Sequence, residues 1–290
     1  MGSFRLIVVP YELGRLRDGV GRGPEHVLAA GAEAALAGAG AEVQTEVVQL
    51  EPSFNRSGKG DVDASFALIR EVAERVRQAG AEDAVPVVLS GSCFVAVGVV
   101  AGLGPPSPAV AWLDAHSDFN TPETTLEGYF DGMGLAVLTG GAWQNLLARV
   151  PGAVPLPEQA VVLAGARDFD APEELRLRAS SINHLTAAEV RDPEALTGAV
   201  HSLGAIVSGL YLHLDLDVLD LSVARVNVFG APGGLTDDEL ERLVESVCAD
   251  CDLRAITLSA YDPTFDPDER VPPIALRAGF RLSAESVCER

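Results

Sequence analysis

The chain has 290 residues, 48% of them hydrophobic, which is enough apolar side chain to bury a substantial core. Only 6% are aromatic and 29 are glycine, a balance that fits an alanine- and valine-rich layered α/β protein rather than a binding module. The formal net charge is −21 and Lys59 is the single lysine, which argues against nucleic acid and anionic membrane as partners.

No Pro/Ser-rich linker or charge block divides the sequence, so residues 1–290 are expected to form one domain. Residues 1–10 carry one arginine and a β-like apolar run, too short and wrongly flanked for a secretory signal. Nowhere do roughly 18 apolar residues occur together, so the expected location is the cytoplasm. Cys93, Cys248, Cys251 and Cys288 are accordingly expected to be reduced. Cys248 and Cys251 have a C-x-x-C spacing, but with no second pair or nearby histidines they read as helix-end packing.

Residues 4–10 read as the first strand, and Gly21, Gly23 and Pro24 as a turn before a helix to about residue 37. That Gly-Pro pair is primarily a turn signal, although it can also leave main-chain N–H groups facing a ligand. A second strand is expected over 42–49, a polar loop over 55–61 and an amphipathic helix over 63–79, with Phe66, Ile69, Val72 and Val76 at helical spacing. A third strand, 84–89, runs into Ser90-Gly91-Ser92-Cys93 and a helix over 94–103. Such corners, at the carboxyl ends of strands, are where α/β sheets place ligand groups.

The most informative stretch follows. Five apolar residues, Ala109 to Leu113, lead directly into Asp114, His116 and Asp118. If the segment stays extended, alternation puts all three on one face, where two carboxylates and an imidazole can hold a divalent cation. Polar residues at a strand end can also merely begin a solvated loop. Further on, a helix is expected over 134–147, a strand over 160–163 and a short helix over 172–179 with Asp170 as cap. A short strand over 182–185 and a helical region over 186–203 come next. Residues 209–216 then form a strand in which Asp215 and Asp217 alternate with Leu214 and Leu216. Carboxylates on one face repel unless a cation lies between them. The oxygen-rich donor set of Asp114, His116, Asp118, Asp215 and Asp217 therefore points to two metal ions, manganese before zinc, and to hydrolysis by an activated water. A helix over 236–250 opens with the capping box Thr236-x-x-Glu239, residues 254–258 form the last strand and 273–280 a helix. Strand and helix alternate without hairpin signals, which implies a mostly parallel sheet covered on both faces.

These residues carry a resemblance. GRLRDGVGRGP, WLDAHSDFNTPETT, GARDFD, LHLDLDVLD and YDPTFDPDE, spread over most of the chain, resemble the ureohydrolases, arginase more than agmatinase. The resemblance implies a three-layer α/β/α sandwich, two manganese ions activating a water for attack on a guanidino carbon, and a homo-oligomer, trimer or hexamer. It makes Asp114, His116, Asp118, Asp215 and Asp217 metal ligands, with Asp118 also orienting or deprotonating the water. Asn120, Thr125 and Asp170 fall where arginases hold the amino-acid end of a small-molecule substrate. An amide and a hydroxyl can bond a carboxylate, and an aspartate can pair with an ammonium.

Three positions depart from the family pattern. Cys93 replaces a histidine ligand: either it binds metal as a soft thiolate or it is a buried structural thiol. Cysteine here, combined with DFNTPETT, is similar to the hydroxyarginine hydrolases of the family. Asp131 replaces a proton-shuttling histidine; it can act as a general acid if Asp118 and Glu123 raise its pKa, accept a guanidinium, or be a plain loop aspartate. Ala260 stands where a glutamate grips the guanidinium, with Tyr261, Asp262 or Asp131 as candidates to compensate. The expected function is manganese-dependent hydrolysis of a C–N bond in a guanidino or amidino amino acid other than plain arginine. The alternative is an impaired paralogue that binds metal and an amino acid, or has a structural role.

Overall fold

A computed structural model describes residues 2–38, 40–50, 61–204, 209–249 and 251–288. The polar loop expected over 55–61 lies, except for Asp61, outside the described residues.

The amino-terminal third contains β1 (Ser3–Val9), the two short strands β2 (Tyr11–Glu12) and β3 (Arg15–Leu16), α1 (Gly23–Ala29), α2 (Ala32–Ala37), β4 (Glu42–Val47), α3 (Asp61–Ala81), β5 (Ala84–Ser90) and α4 (Ala96–Leu103). The middle contains β6 (Ala109–Leu113), α5 (Gly134–Leu138), α6 (Gln144–Leu147), β7 (Val161–Ala164), α7 (Ala171–Ala179), β8 (Asn183–Leu185), α8 (Ala187–Val190) and α9 (Pro193–Gly204). The chain closes with β9 (Gly209–Asp215), α10 (Asp237–Cys248), β10 (Asp252–Ser259) and α11 (Val271–Cys288). Among the described residues eight strands form one sheet in the order β4-β1-β5-β10-β9-β6-β7-β8, and every pairing in it is parallel.

Alternation along the strands builds the layers. In β6, Ala109, Ala111 and Leu113 face one core, shared with Leu36, Leu203, Leu240 and Ile274, while Val110 and Trp112 face a second core with Phe66, Ile69, Val72 and Val97. β9 divides likewise, Leu210, Leu212 and Leu214 against Tyr211. A strand with apolar side chains on both faces must be covered twice, and helices on either side of the sheet do this. The result is the expected three-layer α/β/α sandwich.

Local details differ where backbone conformation intervenes. A hairpin is present after all: β2 and β3 pair antiparallel through Leu13 and Gly14, both at positive φ (47° and 86°), the two-residue turn whose twist suits a hairpin. The helix expected over 134–147 breaks into α5 and α6 because Gly140 (φ 78°) and Trp143 (φ 51°) leave the helical region. The region 186–203 likewise splits into α8 and α9, the second starting at Pro193. Cys248 is buried at the end of α10 within the core. Among the described residues no helix is long and apolar enough to cross a membrane.

The capping box of α10 forms as expected, the Thr236 side chain accepting from Glu239 N and Glu239 Oε2 from Thr236 N. Arg191 grips the same carboxylate with Nε at 2.7 Å and Nη2 at 2.9 Å, and this hydrogen bonding holds Glu239 down to about 2. An unfolded glutamate titrates near pH ~4.3. The folded state therefore gains stability that is complete above that pH and is lost as pH falls toward the folded value. Thermal melts of wild type and Glu239→Gln should differ most at pH 6 and converge as the pH is lowered to 3. A constant difference would remove the ion pair as its source.

Candidate active site

Four adjacent strands in the middle of the sheet end at one place. β5 runs into Ser90-Gly91-Ser92-Cys93, β6 into Asp114, β9 into Asp215, and β10 into Ser259-Ala260. They open into a cavity of about 310 Å³.

The β5 corner fits beneath the amino-terminal hairpin because residue 91 lacks a side chain: a Cβ there would collide with the Tyr11 carbonyl oxygen. Ser92 Oγ accepts from Leu13 N at 3.1 Å, which fixes the corner to the hairpin turn. Cys93 then opens a 3-10 turn, and its thiol donates to Asp215 Oδ2 at 2.9 Å. The free N–H groups of that turn are taken by Asp131, whose carboxylate accepts from Phe94 N at 2.9 Å and Cys93 N at 3.3 Å. Burial pushes Asp131 up to about 7 against these two bonds, with Glu12 and Asp114 adding repulsion. Burial is thus the main cause of the raised value expected for Asp131; of the two expected neighbours, Glu123 is exposed to solvent, while Asp118 and Asp131 do repel each other. The same geometry makes Asp131 the anchor of the cysteine turn rather than a plain loop aspartate.

Beyond β6 the chain does not stay extended. Asp114 Oδ1 accepts from His116 N at 2.7 Å, its Oδ2 accepts from Trp112 Nε1 at 2.9 Å, and Asp118 sits at φ 47° in the left-handed region. Turn geometry, not strand alternation, therefore brings Asp114, His116 and Asp118 together. Asp215 and Asp217 need the same correction: β9 ends at Asp215 and Leu216–Val218 form a 3-10 turn closed by Asp217 N on Asp215 Oδ1 at 2.8 Å. The turn swings Asp217 toward His116, whose Nδ1 lies 3.3 Å from Asp114 and 3.5 Å from Asp217.

Burial and mutual repulsion raise the pKa of Asp114, Asp118 and Asp215. Although burial opposes it, Asp217 and Asp114 push the His116 imidazole up to about 10, and its charge in turn helps hold Asp217 below the usual range. Two sets of donor atoms lie within 4.8 Å of one another, Asp114 with His116 and Asp217, and Cys93 with Asp114 and His213. Asp118 Oδ2 is buried with no hydrogen-bond partner among the described residues. An orphaned carboxylate oxygen beside three more buried carboxylates is what divalent cations resolve, so the residues fit a metal centre.

Asn120, Thr125 and Asp170 line the same cavity from its rim. Asp170 opens α7 and also accepts from Asn120 Nδ2 at 3.3 Å and Leu126 N at 3.1 Å, so capping and a place in the cavity are combined in one side chain. Ala260, at φ 64°, faces the cavity. Tyr261 and Asp262 do not. Left-handed backbone at residue 260 sends Tyr261 into the core, where its hydroxyl donates to Asp266 and its ring meets His26. Asp262 caps the turn Pro263–Phe265 and faces Arg22 at 3.6 Å. Neither can replace a glutamate at 260.

Several residues with a part in the site were missed. His213 shares a β9 face with Asp215, a parity that was available in the sequence. Asn227 donates to Asp217 Oδ2 at 3.1 Å and the Ala260 carbonyl at 2.8 Å. Tyr129 and Phe229, ring centroids 5.1 Å apart, form an aromatic wall, and Tyr129 donates to Glu12 at 3.1 Å. Glu173 holds the Ser117 hydroxyl and Phe119 N behind Asp118. No local pattern marks the loop residues Asn227, Tyr129 and Phe229, whereas Glu173 stands three residues after Asp170 as the second half of a capping box.

Arg167, of the GARDFD motif, donates to the carbonyls of Gly165, Asp217, Val218, Leu219, Ala231 and Pro232. It thereby ties both ends of the loop that carries Asn227 and Phe229. A lysine ammonium cannot span this fan of acceptors. Arg167→Lys is expected to destabilise the fold by about 1–3 kcal/mol and to weaken metal binding roughly 10–100-fold. Denaturant melts and metal titration of the variant check both.

A parallel α/β/α sandwich with a buried Asp/His/Cys cluster at its central strand ends is the layout of a metal-dependent amidinohydrolase of the ureohydrolase type. The profile described as the Arginase family matches residues 3–285. An arginase of Bacillus subtilis is 30% identical over 226 residues, 75% of this chain and 76% of the relative. The N(omega)-hydroxy-L-arginine amidinohydrolase of Streptomyces lavendulae is 32% identical over 200 residues, 66% of this chain and 68% of that one. The crystal structure of the arginase from Bacillus caldovelox superposes with a TM-score of 0.86 at 27% identity, covering 100% of this chain and 99% of the other. The chain belongs to the arginase family.

Proposed function

We propose that the protein hydrolyses a C–N bond in the side chain of a guanidino or amidino amino acid less basic than arginine, with an N-hydroxylated arginine as the leading substrate. The observation that carries this is one cavity lined both by Asn120, Thr125 and Asp170 and by His116, Asp118, Asp215, Asp217 and the uncharged Ala260. Similarity to an N(omega)-hydroxy-L-arginine amidinohydrolase supports the choice of substrate.

In this reading Asn120 and Thr125 bind the α-carboxylate and Asp170 pairs with the α-ammonium, which orients the side chain toward the acidic end. Cys93, Asp114, His116, Asp118, Asp215 and Asp217 would hold two divalent cations, with manganese favoured by the carboxylate-rich set. When bound, such ions make a water nucleophilic at neutral pH and polarise the group under attack. Asp118 orients that water through its free carboxylate oxygen. Asp131, raised to about 7, is protonated in about half of the molecules at neutral pH and can give that proton to the departing amine. A site without a carboxylate at 260 leaves a full guanidinium unpaired, and a buried unpaired cation is strongly disfavoured. A cytoplasmic homo-oligomer, trimer or hexamer, built from one domain per chain, completes the proposal.

A mass-spectrometric screen of guanidino and amidino amino acids with manganese-reconstituted protein tests it. Release of urea, hydroxyurea or an amine is the expected result. No turnover of any analogue, together with one bound ion or none, would instead identify an amino-acid-binding paralogue.

A further inference from the structure

One imidazole near the site has no part in the chemistry above. His213 is wholly buried, projects from the strand that delivers Asp215, and lies against Trp112 with ring centroids 3.8 Å apart and planes at 23°. Its Nδ1 is 3.0 Å from the Tyr211 hydroxyl, which donates its own proton to Thr257 Oγ1 at 2.8 Å. The phenol oxygen therefore accepts from Nδ1–H, and the tautomer is set: Nε2 carries the lone pair. That nitrogen makes only a long hydrogen bond, 3.4 Å, to Ser259 Oγ, and a ring nitrogen of His213 falls within 4.8 Å of Cys93 Sγ and an Asp114 oxygen. An imidazole stacked on one face, fixed at one nitrogen and only loosely held at the other is oriented as metal-ligating histidines are.

We propose that Cys93, Asp114 and His213 form a mixed thiolate, carboxylate and imidazole site that takes a thiophilic ion, zinc before manganese. Asp114, His116 and Asp217 then hold a harder second ion. Sulfur and nitrogen donors favour zinc, whereas carboxylates suit manganese, so a shared Asp114 would join two unlike positions. The thiol proton now donated to Asp215 leaves to solvent as the ion binds, since only the thiolate is a ligand. The proposal rests on reading the cavity as a two-ion centre, and it adds a ligand and an ion preference.

The test uses the full-length protein stripped with a chelator and loaded with one equivalent of Zn²⁺, or with Co²⁺ as a spectroscopic probe. X-ray absorption of the zinc form should show one sulfur near 2.3 Å and an imidazole nitrogen near 2.0–2.1 Å in one coordination shell. The cobalt form should show a thiolate-to-metal charge-transfer band that Cys93→Ser abolishes. His213→Phe, which keeps a ring against Trp112, should retain the sulfur signal, lose the nitrogen and bind zinc roughly 100-fold more weakly. A Tyr211→Phe variant guards against misfolding of His213→Phe, because it leaves Nε2 in place and should retain both signals with a smaller loss of affinity. A zinc shell of oxygens alone, or unchanged zinc affinity in His213→Phe, would overturn the proposal. These readouts do not depend on turnover: sulfur and imidazole in the shell with no C–N hydrolysis would sink the proposed function alone, while hydrolysis with an all-oxygen shell would sink only the mixed site.

Discussion

Asp118→Asn should make the chelator-treated protein more stable and the manganese-loaded protein less stable, a reversal of sign that a stabilising surface change cannot produce. Asp118 is 7% exposed, its Oδ2 has no partner, and Asp114, Asp131, Glu173 and Asp217 all act against its charge. Without a cation, exchanging this carboxylate for a neutral amide relieves repulsion worth roughly 1–4 kcal/mol. The residue also sits at φ 47°, a conformation asparagine tolerates well. If manganese binds as proposed, the wild type gains the free energy of binding on top of folding, and the variant, which lacks the proposed ligand, gains less. Turnover should fall by about 10²–10³-fold or more, the scale on which a single group stabilising the transition state acts. Paired melts with chelator and with excess manganese, alongside steady-state rates, supply the check. A variant less stable in both conditions would mean that Asp118 is held by contacts other than a cation.

Ala260→Glu should move specificity toward arginine. The cavity wall at 260 is a methyl group, and neither Tyr261 nor Asp262 turns into the cavity to replace a carboxylate. A carboxylate placed there can meet a guanidinium with two charge-assisted bonds. At about 1.5–3 kcal/mol for a hydrogen bond to a charged group, the ratio of kcat/KM for arginine over N-hydroxyarginine should rise roughly 10–100-fold. Residue 260 is already left-handed as alanine, so an unbranched glutamate adds little backbone strain. Rates on both substrates decide: an unchanged ratio would show that charge at 260 does not select between them, and a loss of both would point to crowding against Asn227, which holds the Ala260 carbonyl.

The acidic residues and the layered fold were readable from the chain because each is a local signal. Apolar runs of strand length alternating with amphipathic helices specify a covered parallel sheet, and Thr236 with Glu239 marks the start of α10 within four residues of sequence. Asp114, Asp118, Asp215 and Asp217 stood out because carboxylates fused to buried strands need a partner. How they meet was not local: left-handed backbone at Asp118 and a 3-10 turn after Asp215 make the cluster, where alternation alone had seemed sufficient. Only the tertiary structure decided that Asp131 anchors the cysteine turn from 38 residues away, that Tyr261 turns into the core, and that the His213 imidazole comes to lie beside Cys93 and Asp114. Composition and periodicity settle which surfaces are buried, since burial follows polarity. Which buried polar groups face each other depends on strand order and backbone dihedrals, and those are properties of the folded chain as a whole.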